Sequence, residues 1–381
     1  MNLTLLRRSR QTLDIFSPGF AETLAALPFE QREAADSPVV QWFKERGPLG
    51  LLVPRSSGGL GATALEAMHV QVAIGALSPS LAVASTMHQF SVASLVAVAL
   101  KGAGADALLL AAIAQQRLLL ASGFAEGVTG GGILDTGMAA VPFKDGVRLS
   151  GSKQPCSLGA SLDLLTASYS RDTPAGEELM IALIPPSAPG VTQHPFWANH
   201  ALAGAQSMEL RLEDVYVDKR MLFSAGLKAR LGDVQTIGFI WFELLISAAY
   251  LGACLGLAEQ AMASQRWSDQ QRVELGCQLQ FGLGALEGAA HELDRGDVDL
   301  QDQLARLLLV RYGLEQQLVR ASDLAHQMLG GLAFIRSNMG SQWLLSTRGL
   351  QFHPPGRLGM STNLDIYLRD ATFSIANGAR S

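Results

Sequence analysis

Residues 118–165 read LLLASGFAEGVTGGGILDTGMAAVPFKDGVRLSGSKQPCSLGASLDLL, and this stretch decides the fold. An apolar run, residues 118–121, leads into a glycine-dense polar turn at residues 124–132 (FAEGVTGGG). An alternating segment follows, then residues 149–153 (LSGSK) and the small-residue string 156–160 (CSLGA). Lys144-Asp145-Gly146 between two strand-like runs is a hairpin signal. Strand, glycine loop, hairpin and strand together make a platform for a flat cofactor. Glycine tolerates positive φ and close approach, and unpaired N–H groups in such a loop bind anionic or carbonyl oxygen.

Working outward, residues 179–186 (LMIALIPP) and 207–222 (SMELRLEDVYVDKRML) continue the short alternating runs. Residues 118–223 therefore read as a middle β domain, a small barrel or sandwich. Both flanks read as helical. In residues 1–117, Asp36-Ser37 precedes Pro38 and a run that stops on Gly47, which supplies a cap, a first-turn proline and a terminal glycine. Residues 64–76 and 82–100 form two apolar helices. The glycine-rich turn at residues 56–61 (SSGGLG) is not a phosphate loop, since no Gly-Lys-Ser/Thr follows it. In residues 224–381, helices are expected over 234–266, 275–295 and 300–329, the last stopped by Gly330-Gly331. The fold class is α+β and mostly α: an N-terminal helical domain, a middle β-barrel domain and a C-terminal four-helix bundle.

The chain has 381 residues, 48% of them hydrophobic, enough for a large core and two or three domains. A net charge of −5 with no long Lys/Arg run gives no reason to expect nucleic acid as a partner. Cys156, Cys254 and Cys277 lie far apart without C-x-x-C spacing, so neither a disulfide framework nor a metal site is expected. With no apolar leader at the N-terminus, the expectation is a cytoplasmic protein. Residues 237–263 are interrupted by Glu243, Ser247, Glu259 and Gln260, which suits a buried bundle helix rather than a membrane span.

The paired central segments resemble the middle domain of the acyl-CoA dehydrogenase superfamily. That family carries a T-E-P-x-x-G-S-D-like loop and an N-G-x-K-x-W-I-T-N-like strand on one face of a flavin. Here the loop is residues 125–131 (AEGVTGG) and the strand residues 150–157 (SGSKQPCS). The Glu and Gly positions match; the Thr, Pro, Ser-Asp and Trp positions do not. The P-C-S-x-G form at residues 155–159 is similar to the branch holding flavin-dependent desulfurisation-type and N-hydroxylating monooxygenases. Residues 327–334 (QMLGGLAF) match the family's Q-x-x-G-G-x-x-[FY] segment, which packs near the flavin of a neighbouring subunit.

The resemblance implies a flavoprotein oxidoreductase, a homodimer or homotetramer, with FAD as cofactor and FMN as the alternative. By position, Phe124, Ala125, Glu126, Thr129 and Gly131 would follow the flavin ring, with Cys156 and Ser157 near its N5 edge. Gln327, Gly330 and Gly331 would flank the neighbour's cofactor. Arg272, with Gly276, is a partial echo of the family's R-x-x-F-G turn, whose arginine reaches the cofactor pyrophosphate. That weak match is what keeps a mononucleotide open.

Dehydrogenation of an acyl thioester needs a carboxylate over the α-carbon, and geometry comes before pKa. The family's usual place for it falls on residues 348–357 (RGLQFHPPGR), which hold no acid. One branch moves the glutamate to the first C-terminal helix, where Glu243 stands. The competing assignment is an ion pair with a basic residue on an adjacent helix; an error of one residue turns a helical side chain by about 100°. His353 is the other candidate, since monooxygenase relatives carry a histidine near this segment. His88 is either a hydrogen-bonded core histidine or a proton relay lining the pocket. Three functions stay open. One is α,β-dehydrogenation of an acyl thioester coupled to an electron-transfer flavoprotein, which the whole-chain resemblance favours. Another is a monooxygenase using O2 and reduced flavin from a flavin reductase. The last is a catalytically degenerate relative.

Overall fold

The computed structural model describes residues 3–101, 105–128, 134–263, 267–370 and 372–375. Helices come first: α1 (Arg7–Phe16), α2 (Phe20–Ala25), α3 (Phe29–Arg32), α4 (Val39–Arg46), α5 (Ala64–Leu77), α6 (Pro79–Lys101) and α7 (Ala105–Gln116). Helix α4 stops on Gly47 as expected, but its N-cap is Pro38 with no side-chain bond, so Ser37 does not cap it. The stronger start signal is at α5. The Thr63 hydroxyl accepts from the Glu66 N–H while the Glu66 carboxylate accepts from the Thr63 N–H, a capping box.

Strands follow: β1 (Leu120–Gly123), β2 (Ala139–Phe143), β3 (Gly146–Cys156), β4 (Leu164–Thr173), β5 (Gly176–Ile184), β6 (Val191–Pro195), β7 (Met208–Asp218), β8 (Leu222–Leu227) and β9 (Arg230–Leu231). They form two sheets, ordered β1-β4-β5-β8-β9 and β2-β3-β7-β6, rather than one closed barrel. β1 runs parallel to β4; the other pairs are antiparallel. The β2–β3 hairpin turns on Lys144 and Asp145, with Lys144 at φ 51° as a tight two-residue turn requires. Strand pairing continues past residue 223, because β8 pairs along β5.

The chain returns to helices: α8 (Asp233–Met262), α9 (Asp269–Arg295), α10 (Leu300–Leu329), α11 (Gly331–Arg336), α12 (Met339–Thr347) and α13 (Arg357–Asp370). α9 starts before residue 275 because Ser268 and Gln271 form a second capping box. α8 is apolar on every face and packs against α5, α6 and α10. It is long and apolar enough to cross a membrane by composition, yet almost all of it is buried inside the protein. Its contact with α5 is main chain against main chain. A Cβ on Gly75 would fall 2.2 Å from the Ala249 carbonyl oxygen, and one on Gly252 would fall 2.3 Å from that of Val72. Any larger side chain there must push the helices apart. Cys156 and Cys254 are buried, Cys277 is exposed, and all three are free thiols.

Candidate active site

A cavity of about 820 Å³ lies where α6 and α8 face the glycine loop. Helical spacing decides which side chains reach it: Val83, Met87 and Phe90 from α6, and Gln235, Phe239 and Phe242 from α8, recur every three or four residues. Tyr250 enters from farther along α8. The opposite wall is Ser122, residues 124–128, Pro155 and Ser157. The loop after β6 contributes Trp197 and Leu202, and the segment after α12 contributes Arg348, Gly349, Phe352 and His353. Phe90 meets Phe242 edge to face, with ring centroids 5.3 Å apart. The surface offered to a ligand is mostly apolar.

Phe124, Ala125, Glu126 and Ser157 line this wall. The Glu126 carboxylate accepts three hydrogen bonds. It accepts from the buried Lys153 Nζ at 2.5 Å, the Thr136 hydroxyl at 2.6 Å and the Gly137 N–H at 2.7 Å. Burial alone would raise its pKa, but these donors outweigh burial and hold it below the usual carboxylate range. Lys153, pulled down by its burial, is the strut that ties the glycine loop to β3. The Gln154 N–H donates to the Ala125 carbonyl at 2.9 Å and completes that tie. Ser157 Oγ lies 3.0 Å from Ser207 Oγ, and both residues face the cavity.

The polar centre of the helical wall is His353. Its Nε2 lies 2.8 Å from the Tyr250 hydroxyl. Burial, helped by the Arg311 charge, pushes the imidazole down to about 3, so it is neutral at neutral pH. A Cβ on Gly349 would fall 2.3 Å from Tyr250 Oη, so glycine is what leaves room for the phenol.

Three expectations need correcting. Glu243 does not reach the cavity: it follows Phe242, and the helical turn of about 100° per residue carries it to the α10 side. There it is fully buried in a 2.6 Å ion pair with Arg311. Burial pushes Glu243 up to about 7, with Arg311 opposing. His88 is a core tie. The Leu120 N–H donates to its Nδ1 at 3.1 Å, so Nε2 carries the proton and donates to the Leu49 carbonyl at 2.9 Å. Burial pushes it down to about 4. Its neighbours Met87 and Phe90 face the cavity instead. Cys156 points into the core, where burial raises its thiol to about 12; only the adjacent Ser157 lines the wall. Arg272, whose counterpart in the resemblance reaches a neighbouring subunit's cofactor, sits in the first turn of α9, 2.7 Å from Asp269, on an apolar groove containing Leu3 and Phe281.

Gln327, Gly330 and Gly331 mark the end of α10, where Gly330 adopts φ 81°. Space is open around Gly330 and Gly331, and within this one chain none of the three lines the cavity. Thr129 and Gly131 fall outside the described residues. The sequence reading passed over Tyr250, Phe242, Trp197 and Arg348. Tyr250 left one faint signal, a phenol hydroxyl in a mostly apolar helix.

No family model matches the chain. It is 42% identical over 376 residues to isobutylamine N-hydroxylase of Streptomyces viridifaciens, an alignment covering 97% of this chain and 99% of that protein. Its fold is similar to that of KijD3 solved in complex with FMN and dTDP-3-amino-2,3,6-trideoxy-4-keto-3-methyl-D-glucose, with a TM-score of 0.85, 14% identity and 100% of each chain covered. It is similar also to FMN-bound TdsC, a dibenzothiophene monooxygenase of Paenibacillus sp. A11-2, with a TM-score of 0.81, 18% identity and coverage of 97% and 99%.

Proposed function

The chain belongs to the acyl-CoA dehydrogenase superfamily, among its flavin-dependent monooxygenase members, and on that premise we propose that it N-hydroxylates a small aliphatic primary amine. The observation that carries this reading is the neutral His353–Tyr250 pair set in a mostly apolar wall. The carboxylate that thioester dehydrogenation would need is absent from that place, because Glu243 is turned toward Arg311. Full-length likeness to an amine N-hydroxylase supports nitrogen as the atom oxidised.

The wall fits an isoalloxazine. A cavity of about 820 Å³ has room for a flavin ring and a short alkyl amine together. Gly127, at φ 67°, opens the main chain of the loop, while Ser157 and Ser207 offer hydroxyls at its edge. FMN is the better match of the two flavins. KijD3 and TdsC were solved with it, and Arg272, the residue that would reach a pyrophosphate, is tied to Asp269. Reduced flavin supplies two electrons to O2, so that amine, O2 and reduced flavin yield hydroxylamine, water and oxidised flavin. A separate reductase delivers it. Leu332, Phe334 and Ile335, exposed on α11, support a homodimer or homotetramer.

The chain's own residues do the positioning. Aromatic side chains of α6 and α8 hold the alkyl group and exclude water, which strengthens every polar contact inside. Glu126 already accepts from Lys153, Thr136 and Gly137 and has its charge met by Lys153, and Asp135, the other acid on the wall among the described residues, is partnered as well. The amine therefore binds neutral, with its lone pair available. The Tyr250–His353 hydrogen bond passes on the proton that leaves nitrogen as the N–O bond forms, as a relay and not a store, because burial keeps the imidazole neutral at rest. The test is to mix the protein with reduced FMN, isobutylamine and oxygen-18-labelled O2 and to weigh the product. A hydroxylamine carrying one labelled atom is expected. Release of all consumed oxygen as hydrogen peroxide, with the amine unchanged, would overturn the proposal.

A further inference from the structure

The group that fixes His353 is not in the cavity but behind it. Arg311, on α10, is completely buried. One terminal nitrogen, Nη1, donates to Glu243 at 2.6 Å and to the Pro354 carbonyl at 3.4 Å. The other, Nη2, donates to the carbonyls of Leu350 at 3.1 Å and His353 at 2.5 Å. Beside it the Tyr312 hydroxyl donates to the Pro355 carbonyl at 2.8 Å. Four carbonyls of residues 350–355 are thus held from one side by two consecutive residues of a single helix. The segment itself is a short 3-10 turn followed by irregular chain, with little hydrogen bonding of its own to define it.

A buried Arg–Glu pair is a poor way to stabilise a core, since hydrophobic replacement is often neutral or better. A planar guanidinium is, however, suited to grip several carbonyl oxygens at fixed angles. Glu243, together with Glu315 at 3.4 Å from Nε, supplies the counter-charge that lets the cation remain there.

We propose that Arg311, backed by Glu243 and assisted by Tyr312, is a positioning residue that fixes His353 against Tyr250 for proton transfer. This rests on the amine N-hydroxylation reading for its chemical consequence, but its geometric content does not depend on the substrate. Lysine at 311 has one ammonium and cannot span the carbonyls of Leu350, His353 and Pro354 together.

The experiment uses the full chain as wild type, Arg311→Lys, Tyr312→Phe and His353→Ala, with Arg311→Lys also placed in the His353→Ala background. Nitrogen-15 NMR of labelled histidine in protein without amine identifies the His353 ring by its loss in His353→Ala. The expected result is that Arg311→Lys shifts that resonance away from its Tyr250-bonded position while the other histidines stay in place. An unmoved His353 resonance in both Arg311→Lys and Tyr312→Phe would overturn the proposal. Tyr312→Phe removes only a hydroxyl and keeps the test alive if the lysine variant does not fold. The second readout is hydroxylamine formed per reduced flavin. It should fall roughly 100-fold in Arg311→Lys, the scale of an ångström-sized misplacement, and not fall further when His353 is already absent. A full additional loss in the His353→Ala background would also overturn it. A wild type that makes no hydroxylamine refutes the amine reading alone, and the NMR result still decides the clamp.

Discussion

Tyr250 and His353 stand 103 residues apart in sequence and meet through a 2.8 Å hydrogen bond on the cavity wall. The contact exists because Gly349, four residues before the histidine, has no Cβ to displace the phenol.

Gly349→Ala therefore tests the pair without touching either member. The new methyl would lie 2.3 Å from Tyr250 Oη, so the phenol must move. Overpacking of this kind costs about 1–3 kcal/mol. Denaturant unfolding should show that loss, and hydroxylamine formed per reduced flavin should fall at least several-fold. A variant with wild-type product yield would mean that the Tyr250–His353 contact is incidental.

His88→Ala should be a stability variant only. It strips the Leu120 N–H of its histidine partner inside the core, at about 1–3 kcal/mol, and leaves the Leu49 carbonyl with only its longer bond from Gln89. Flavin affinity measured by fluorescence quenching should stay within a few-fold of wild type. A loss of flavin binding larger than the loss of stability would return His88 to the site.

Acid should erode the stability that two buried histidines contribute. His88 and His353 are depressed to about 4 and about 3, in both cases chiefly by burial, whereas an unfolded chain titrates them near 6.5. Between those limits the unfolded state binds more protons, so their contribution is complete above roughly pH 6.5 and is lost as pH falls toward 4. Buried Glu243, raised to about 7, contributes with the opposite sign over the same window, so the histidine part is read from the difference between wild type and His88→Ala. The gap in melting temperature between the two should narrow from pH 7.5 to 4.5; a constant gap is the contrary outcome.

The fold was largely legible because its signals are local. The alternation in residues 207–222, the Lys144-Asp145 turn and the stop at Gly330 each depend on a few neighbouring residues. The site was legible only on its strand side, where the residues of the glycine loop adjoin one another in sequence. On the helical side, Phe242 and Glu243 are adjacent, and only the rotation of α8 against α10 decides which one faces the ligand. Nothing near Arg311 in sequence shows that it grips residues 350–354. Tyr250 reads as one more core aromatic until Gly349 is seen beneath it.

Phe90→Ala should widen substrate choice. Phe90 and Phe242 form the aromatic corner of the cavity, 5.3 Å between centroids. One methylene of fit is worth about 1–3 kcal/mol, or roughly 10-fold and upward in kcat/KM. Short amines should therefore lose at least 10-fold in kcat/KM while longer or branched ones gain relative to them. Competition assays with mixed amines would read the change. An unchanged preference would remove Phe90 from the binding wall.

Uptake of a neutral amine also fixes a pH signature. Alkylammonium ions titrate near 10, like a lysine side chain, so log kcat/KM should climb with slope about one from pH 7 toward 9. A plateau across that range would mean that the cation is the form bound.

The glycine-to-carbonyl contacts between α5 and α8 set how this architecture can change over generations. Gly75 and Gly252 lock the rear of α8 to its neighbour, so the spacing of the rod on which Phe239, Phe242 and Tyr250 are mounted is fixed independently of their identities. Descendants can exchange those lining groups one at a time and acquire new amine preferences, as interchangeable jaws on an unyielding vice. The two glycines themselves should be the positions where drift is least forgiven, although neither meets a ligand.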